Sequence, residues 1–374
     1  MKVGILSFHA SHNYGSMLQN WALQRFLSKS GISCETINLR TEKQRHIYYF
    51  PIKYSSKRYI YNAFMHPVKF LQIIAKWIKF ELFLKQNIIL TEKEYHDWAE
   101  IMDDLDQFGY DAIICGGDQI WNMTCADWDI SYLLPSKKER IKKISFSPSF
   151  GPDSSLILGD EHFRETICRY LYDFEHISVR DSGSNIILEK LLGKKVSVMP
   201  DPTLLLESAD YEILIIKRIV SSKYVFFYSP FPKREAEDLA SRIADKEGKT
   251  LVSSTTRFPS QILNKSDTIR YNLNSGPKEF LNFVKHADFV CGQSYHLLVF
   301  ALMFHKEFVI FNGQFDERIQ TLLNMCSLED RVISIDNPVF KTYRPIDFDN
   351  VDAVLQQLRI QGSEFLCSAL SHIC

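Results

Sequence analysis

Two Rossmann-like α/β lobes facing one cleft are what this sequence predicts, on three observations. Short apolar runs of the kind that form buried parallel strands alternate with stretches of helical periodicity. Nearly every such run ends in small or polar residues, as strands do where open α/β sheets bind ligands. The chain has 374 residues, too many for one ordinary core at roughly 150 residues per domain. The expected divisions are residues 1–205, with a basic, aromatic, helical insert at about 43–90; 206–345; and a C-terminal helical segment, 346–374.

A hydrophobic content of 45% and a charged content of 24% describe a folded globular chain. The formal net charge of -1 excludes attachment to nucleic acid by overall charge. That balance hides an asymmetry, because nine Lys/Arg and one acid, Glu81, lie between Lys43 and Lys85. Eight cysteines without a C-x-x-C pair read as reduced thiols. Met1 runs straight into V-G-I-L-S-F with no leader, so a cytoplasmic protein is expected, and any membrane contact would be made from the inner surface.

Val3 to Phe8 is the first strand, and H-A-S-H-N-Y-G-S follows it. The periodicity of Leu18, Trp21, Ala22, Arg25 and Phe26 predicts a helix over 17–29, ended by Gly31. Asn13, Gly15 and Ser16 make a loop that can cradle an anion at a helix start, although neither dinucleotide nor P-loop spacing is present. The insert follows, with Tyr48, Tyr49, Tyr54, Tyr59 and Tyr61 among Lys53, Lys57 and Arg58. It leads into a helix with Lys69, Lys76, Lys79 and Lys85 beside Phe70, Ile73, Trp77 and Phe80. That helix reads either as a core helix with a solvated face or as one lying on an anionic lipid surface. Lysines among aromatics also suit single-stranded nucleic acid, but no recognition module accompanies them.

Strands are next expected at Tyr110–Cys115, Ile141–Ser147, Ile177–Arg180 and Val196–Met199. Their ends carry Gly117/Asp118, Ser147/Ser149, Arg180/Asp181 and Asp201/Thr203, a set suited to lining one crevice. In the second half, strands are expected at Tyr224–Tyr228, Thr250–Ser253, Phe289–Cys291 and Phe308–Phe311, and a last one after Leu328. Helices are expected at 234–246, 278–284, 295–304 and 318–325, then two terminal helices at 352–358 and 364–372. Between the strand at Phe289 and the helix at Tyr295 lies the turn Gly292-Gln293-Ser294, with His296 at the helix mouth. An imidazole there, beside amides with no partner inside the helix, suits proton chemistry on an anion. The alternative is a capping histidine without chemistry. No Asp/Glu/His cluster has metal-ligand spacing.

Taken together, N-Y-G-S-M-L-Q-N-W-A-L-Q, G-G-D-Q-I-W-N, F-S-P-S-F-G, I-S-V-R-D, D-P-T-L-L, G-P-K-E-F-L and S-Y-H resemble, in order, the polysaccharide pyruvyl transferase family. The resemblance spans roughly residues 1 to 335. It implies a GT-B-type fold and an enzyme that moves a pyruvyl group from phosphoenolpyruvate onto a sugar as a cyclic ketal, with no cofactor. Gln293 stands where members usually have Asp, Leu297 replaces a glycine, and Gly117 replaces a common serine. For such chemistry His296 is the expected acid or base. Arg180 is the first candidate for the donor's anionic groups and Arg318 the second. Asp118 is either the base toward the sugar hydroxyl or its hydrogen-bond partner. Asn13, Gly15, Gly117, Ser147, Ser149, Ser294 and Tyr295 complete the substrate-binding set. Asp201 is read as fixing a turn, and His9 and His12 as loop residues near the cleft. The acceptor is a sugar or a lipid-linked oligosaccharide. Two other readings remain: a nucleotide-sugar glycosyltransferase, and a glycan- or membrane-surface-binding protein without catalysis.

Overall fold

The structure is a computed structural model. It describes residues 1–48, 64–65, 67–135, 141–151, 158–194, 196–215, 217–230, 233–254, 269–272 and 274–371, without the side chains of 69 and 269–272. Tyr49, Tyr54, Tyr59, Tyr61, Lys53, Lys57, Arg58, His372 and the side chain of Lys69 therefore lie outside it.

Two parallel six-stranded sheets organise the chain. The first comprises β1 (Lys2–Leu6), β2 (Ser33–Thr36), β3 (Ala112–Gly116), β4 (Lys142–Phe146), β5 (His176–Val179) and β6 (Ser197–Val198), in the order β2-β1-β3-β4-β5-β6. The second comprises β7 (Tyr224–Tyr228), β8 (Thr250–Ser254), β9 (Ile269–Asn272), β10 (Phe289–Gly292), β11 (Phe308–Phe311) and β12 (Val332–Ile333), in the order β12-β11-β10-β7-β8-β9. Both orders reverse direction once, between β1 and β3 and between β7 and β10. At such switch points the loops diverge and leave a crevice beyond the strand ends.

Alternation along the strands divides the cores. Tyr224, Phe226 and Tyr228 of β7 face one layer while Val225 and Phe227 face the other. The helix Tyr14–Lys29 (α1) is buried on nearly every side, because it packs on β1 and also on the helices Pro277–His286 and Tyr295–Met303 of the second lobe. Apolar packing thus runs without interruption between the lobes. The insert helix Pro67–Asn87 joins this seam through Phe80, Phe83 and Leu84.

At the C terminus the two expected helices are one, Phe348–Ser371. Its first half packs in the seam through Val351, Leu355 and Leu358, and its second half on the first sheet through Leu366, Ala369 and Leu370. Gly362, which lies between the two expected helices, is a contact point. A Cβ there would stand 2.9 Å from both Leu205 and Pro200, so glycine lets the helix press against the first lobe. Among the described residues no helix is long and apolar enough to cross a membrane, and no group of side chains could hold a metal ion.

Candidate active site at the lobe junction

Three turns converge where the two switch points face each other. Asn13 caps α1, its side-chain oxygen accepting from the Gly15 amide at 2.9 Å. This starts the helix three residues earlier than periodicity alone predicts. Ser294 caps the helix Tyr295–Met303 by accepting from Leu297 N–H at 3.4 Å. That places His296 in the first turn with its ring against Gly15 of the other lobe. A Cβ on residue 15 would fall 2.0 Å from His296 Nδ1, so only glycine lets the imidazole occupy this position.

The third turn begins at Asp201, which is fully buried. Its Oδ1 accepts from Thr203 N–H at 3.0 Å and from the Thr203 hydroxyl at 2.6 Å, the turn-fixing role expected from D-P-T. Its Oδ2 does more. It accepts from Arg180 Nη1 at 2.9 Å and from the Gln19 amide, and lies 3.5 Å from His296 Nε2. Burial alone would push this carboxyl up; His296, Arg180 and the Thr203 hydroxyl together hold it far below the ordinary carboxylate range.

Arg180 is the centre of the cluster. Its side chain is 1% exposed, with Nη1 on Asp201, Nη2 3.7 Å from Asp118, and its guanidinium 5.3 Å from the Tyr295 ring centroid. Its Nη2 and Nε have no hydrogen-bond partner among the described residues, and neither has His296 Nε2. Buried donors without partners are uncommon in native proteins and call for an explanation. Asp118 accepts from the Ser16 hydroxyl. Burial opposes its ionisation, but Arg180, then His296 and Ser16, keep its carboxyl below the usual range. Asp118 also has a positive φ of 57°, a conformation costing about 1 kcal/mol or more for a non-glycine residue.

Other expected site residues are placed differently. Arg318 is held bidentately by Asp316, at 2.8 and 2.5 Å, and the Gln119 amide oxygen turned toward it accepts at 2.9 and 3.2 Å. Arg318 is thus engaged by Asp316, and it flanks Tyr295 at 5.8 Å. Ser147 is fully buried and its hydroxyl donates to the Met199 and Pro200 carbonyls, at 3.2 and 2.6 Å, so it ties β4 to the turn at Asp201 rather than facing substrate. Ser149 is likewise buried, its hydroxyl accepting from Gly151 N–H at 3.0 Å. Gly117 lies beside Gln19 and Pro202. Gln293 accepts from the Ser229 hydroxyl at 3.4 Å. His9 bonds to Asn38 and to the Ser7 carbonyl, and His12 pairs with Glu81, so neither belongs to the cluster.

Gln19 was not singled out from sequence, Ser16 only as part of a loop that can cradle an anion, and Asp201 only as a turn former. Ser16 and Gln19 lie on one face of α1, three residues apart, a spacing that offered a signal. For Asp201 no local signal exists, because Gln19, Arg180 and His296 reach it from three distant parts of the chain. The arrangement provides an imidazole backed by a buried carboxylate, beside a guanidinium with donors to spare. Such a set can receive an anion and move a proton next to it.

Residues 13–314 match the profile of the family described as Polysaccharide pyruvyl transferase. Among solved structures, the UDP-GlcNAc 2-epimerase from Neisseria meningitidis bound to UDP-GlcNAc is similar at TM-score 0.54 and 10% identity, covering 100% of each chain. The UDP-GlcNAc 2-epimerase from Methanocaldococcus jannaschii gives 0.52 and 11%, again covering 100% of each. UDP-N-acetylglucosamine 2-epimerase from Rickettsia bellii gives 0.52 and 10%, over 100% of this chain and 96% of that one. At such identity the likeness shows the fold alone: two facing α/β lobes of the GT-B type. No curated protein matches the chain in sequence.

Proposed function

Because the chain belongs to the polysaccharide pyruvyl transferase family, we propose that it transfers a pyruvyl group from phosphoenolpyruvate to two hydroxyls of a glycan sugar. The observation that carries this reading is a buried guanidinium, Arg180, beside a buried imidazole, His296, both with hydrogen-bonding capacity left over. Phosphoenolpyruvate, with its carboxylate and phosphate, is the kind of small polyanion that would use those donors.

In the reaction a proton adds to the methylene carbon, leaving C2 electron-poor. One sugar hydroxyl adds to C2 and gives its proton to the group that protonated the methylene carbon, restoring it. The bond from C2 to the phosphate oxygen then breaks, and the second hydroxyl closes the ring as its proton leaves with phosphate. His296 is the proposed acid toward the methylene carbon. It would act through Nε2, which has no hydrogen bond among the described residues and lies 3.5 Å from Asp201, while Nδ1 is packed against Gly15. Arg180 holds the donor's carboxylate or phosphate through Nε and Nη2. Asp118, its carboxyl held below the usual range by Arg180 and His296, is a poor proton acceptor. It suits orienting the attacking hydroxyl more than deprotonating it.

The test is thermal stability titrated separately with phosphoenolpyruvate and with UDP. Stabilisation by phosphoenolpyruvate alone is expected. Stabilisation by UDP alone would overturn the proposal in favour of a nucleotide-sugar enzyme. No response to either would overturn it in favour of a protein that binds glycans or surfaces without turnover.

A further inference from the structure

The insert helix Pro67–Asn87 presents an apolar stripe to solvent. Val68, Leu71, Ile78 and Leu82 are 69%, 64%, 43% and 43% exposed, and Phe64 just before the helix is 84% exposed. With Ala75 these positions step by four and three residues alternately, so along a helix they fall on one side. A helix of a globular protein turns such a stripe to its core. Here the core is met by a different face, through Phe80, Phe83 and Leu84.

Lysine stands at both flanks of the stripe. Lys85 is exposed at one flank, and Lys79 is at the other, where it pairs with Glu279. The single acid of this helix, Glu81, is turned inward onto Arg40 and His12. A second copy laid across the stripe would bring no outward-facing acid of this helix to meet Lys85, since Glu81 is engaged inward. An anionic lipid surface would neutralise the lysines and cover the apolar residues together.

We infer that this face docks the protein onto an anionic lipid bilayer, with the helix lying in the headgroup layer. The opposite face of the helix touches the junction, since Phe80 stacks on Tyr14 at 5.4 Å and the next residue, Gly15, abuts His296. Docking therefore holds the Arg180–Asp201–His296 cluster close to the membrane, where a sugar on a lipid carrier would be presented. That last step rests on the transferase reading; the docking itself does not.

The experiment is co-sedimentation of the full chain, without substrate, with phosphatidylcholine vesicles and with vesicles that also contain phosphatidylglycerol. Binding to the anionic vesicles, weakened by salt, is expected. Leu71→Glu should lower that binding about tenfold or more while leaving thermal stability and the response to phosphoenolpyruvate unchanged. No binding to anionic vesicles, or equal binding by the variant, overturns the inference. So does light scattering that finds a wild-type dimer and a Leu71→Glu monomer, which would make the stripe a contact between copies. Because vesicle binding and the phosphoenolpyruvate response are read separately, the docking and the proposed function can fail independently.

Discussion

His9 and His12 follow β1 of the first lobe as His296 follows β10 of the second, each on a polar strand-to-helix junction beside a switch point. The first junction uses up its histidines. His9 has both ring nitrogens bonded, to the Ser7 carbonyl and to Asn38, and His12 lies on Phe80 with its Nε2 on Glu81. Burial, then the charge of Arg40, lowers the His9 pKa to about 4, so it stays neutral through the physiological range. At the second junction His296 keeps Nε2 without a hydrogen bond and faces a buried carboxylate and a guanidinium that also has donors left. A histidine near a crevice thus becomes a candidate for chemistry when its hydrogen-bonding capacity is not already consumed.

The largest effect that sharpens this contrast is expected from His296→Gln. Phosphate release from phosphoenolpyruvate in the presence of an acceptor glycan should fall by about 10²–10⁴-fold, with the melting temperature little changed. Equal activity in that variant would erase the distinction between the junctions. Gly15→Ala comes next. The added methyl has no room beside Nδ1, so the ring must move, and a loss of about a hundredfold is expected from that displacement. Retained activity there would mean that the ring's position is not critical.

A smaller effect concerns pH. His9 binds its proton more weakly folded than unfolded, so the unfolded chain takes up more protons between the ordinary value of 6.5 and about 4. Stability contributed by neutral His9 is present above that window and is lost as pH falls through it, by on the order of 3 kcal/mol in full. His12, lowered in the same direction by burial, adds to the slope. Chemical denaturation of His9→Asn across this range should show a shallower acid dependence than wild type. An unchanged slope would mean that His9 is not buried neutral.

Much of the fold was legible because it depends on local pattern. Tyr224–Tyr228, Phe308–Phe311 and the helix Arg234–Lys246 lie where apolar runs and helical spacing predict them. The errors arise where tertiary contact overrides the local rule. Two terminal helices are expected where one runs, with Gly362 inside it pressed against Leu205 and Pro200. The site was legible to the extent that its residues end strands, as Asp118 and Arg180 do, or open a helix, as His296 does. Burial decided the rest. Ser147 has the same local context as a substrate-facing hydroxyl, yet its oxygen donates to carbonyls of the turn at Asp201. Arg318 reads as a free guanidinium until Asp316, two residues before it, occupies its fork.

The proposed chemistry depends on Arg180 keeping part of its planar fork free for the donor. Arg180→Lys preserves the charge and one contact to Asp201 but removes the spare, coplanar donors. Calorimetric titration of phosphoenolpyruvate into wild type and into this variant, both verified as folded, tests it most directly. Binding to wild type with an affinity about tenfold or more above that of Arg180→Lys is the predicted result. Equal affinity in the two proteins, or no binding to wild type, would contradict the account.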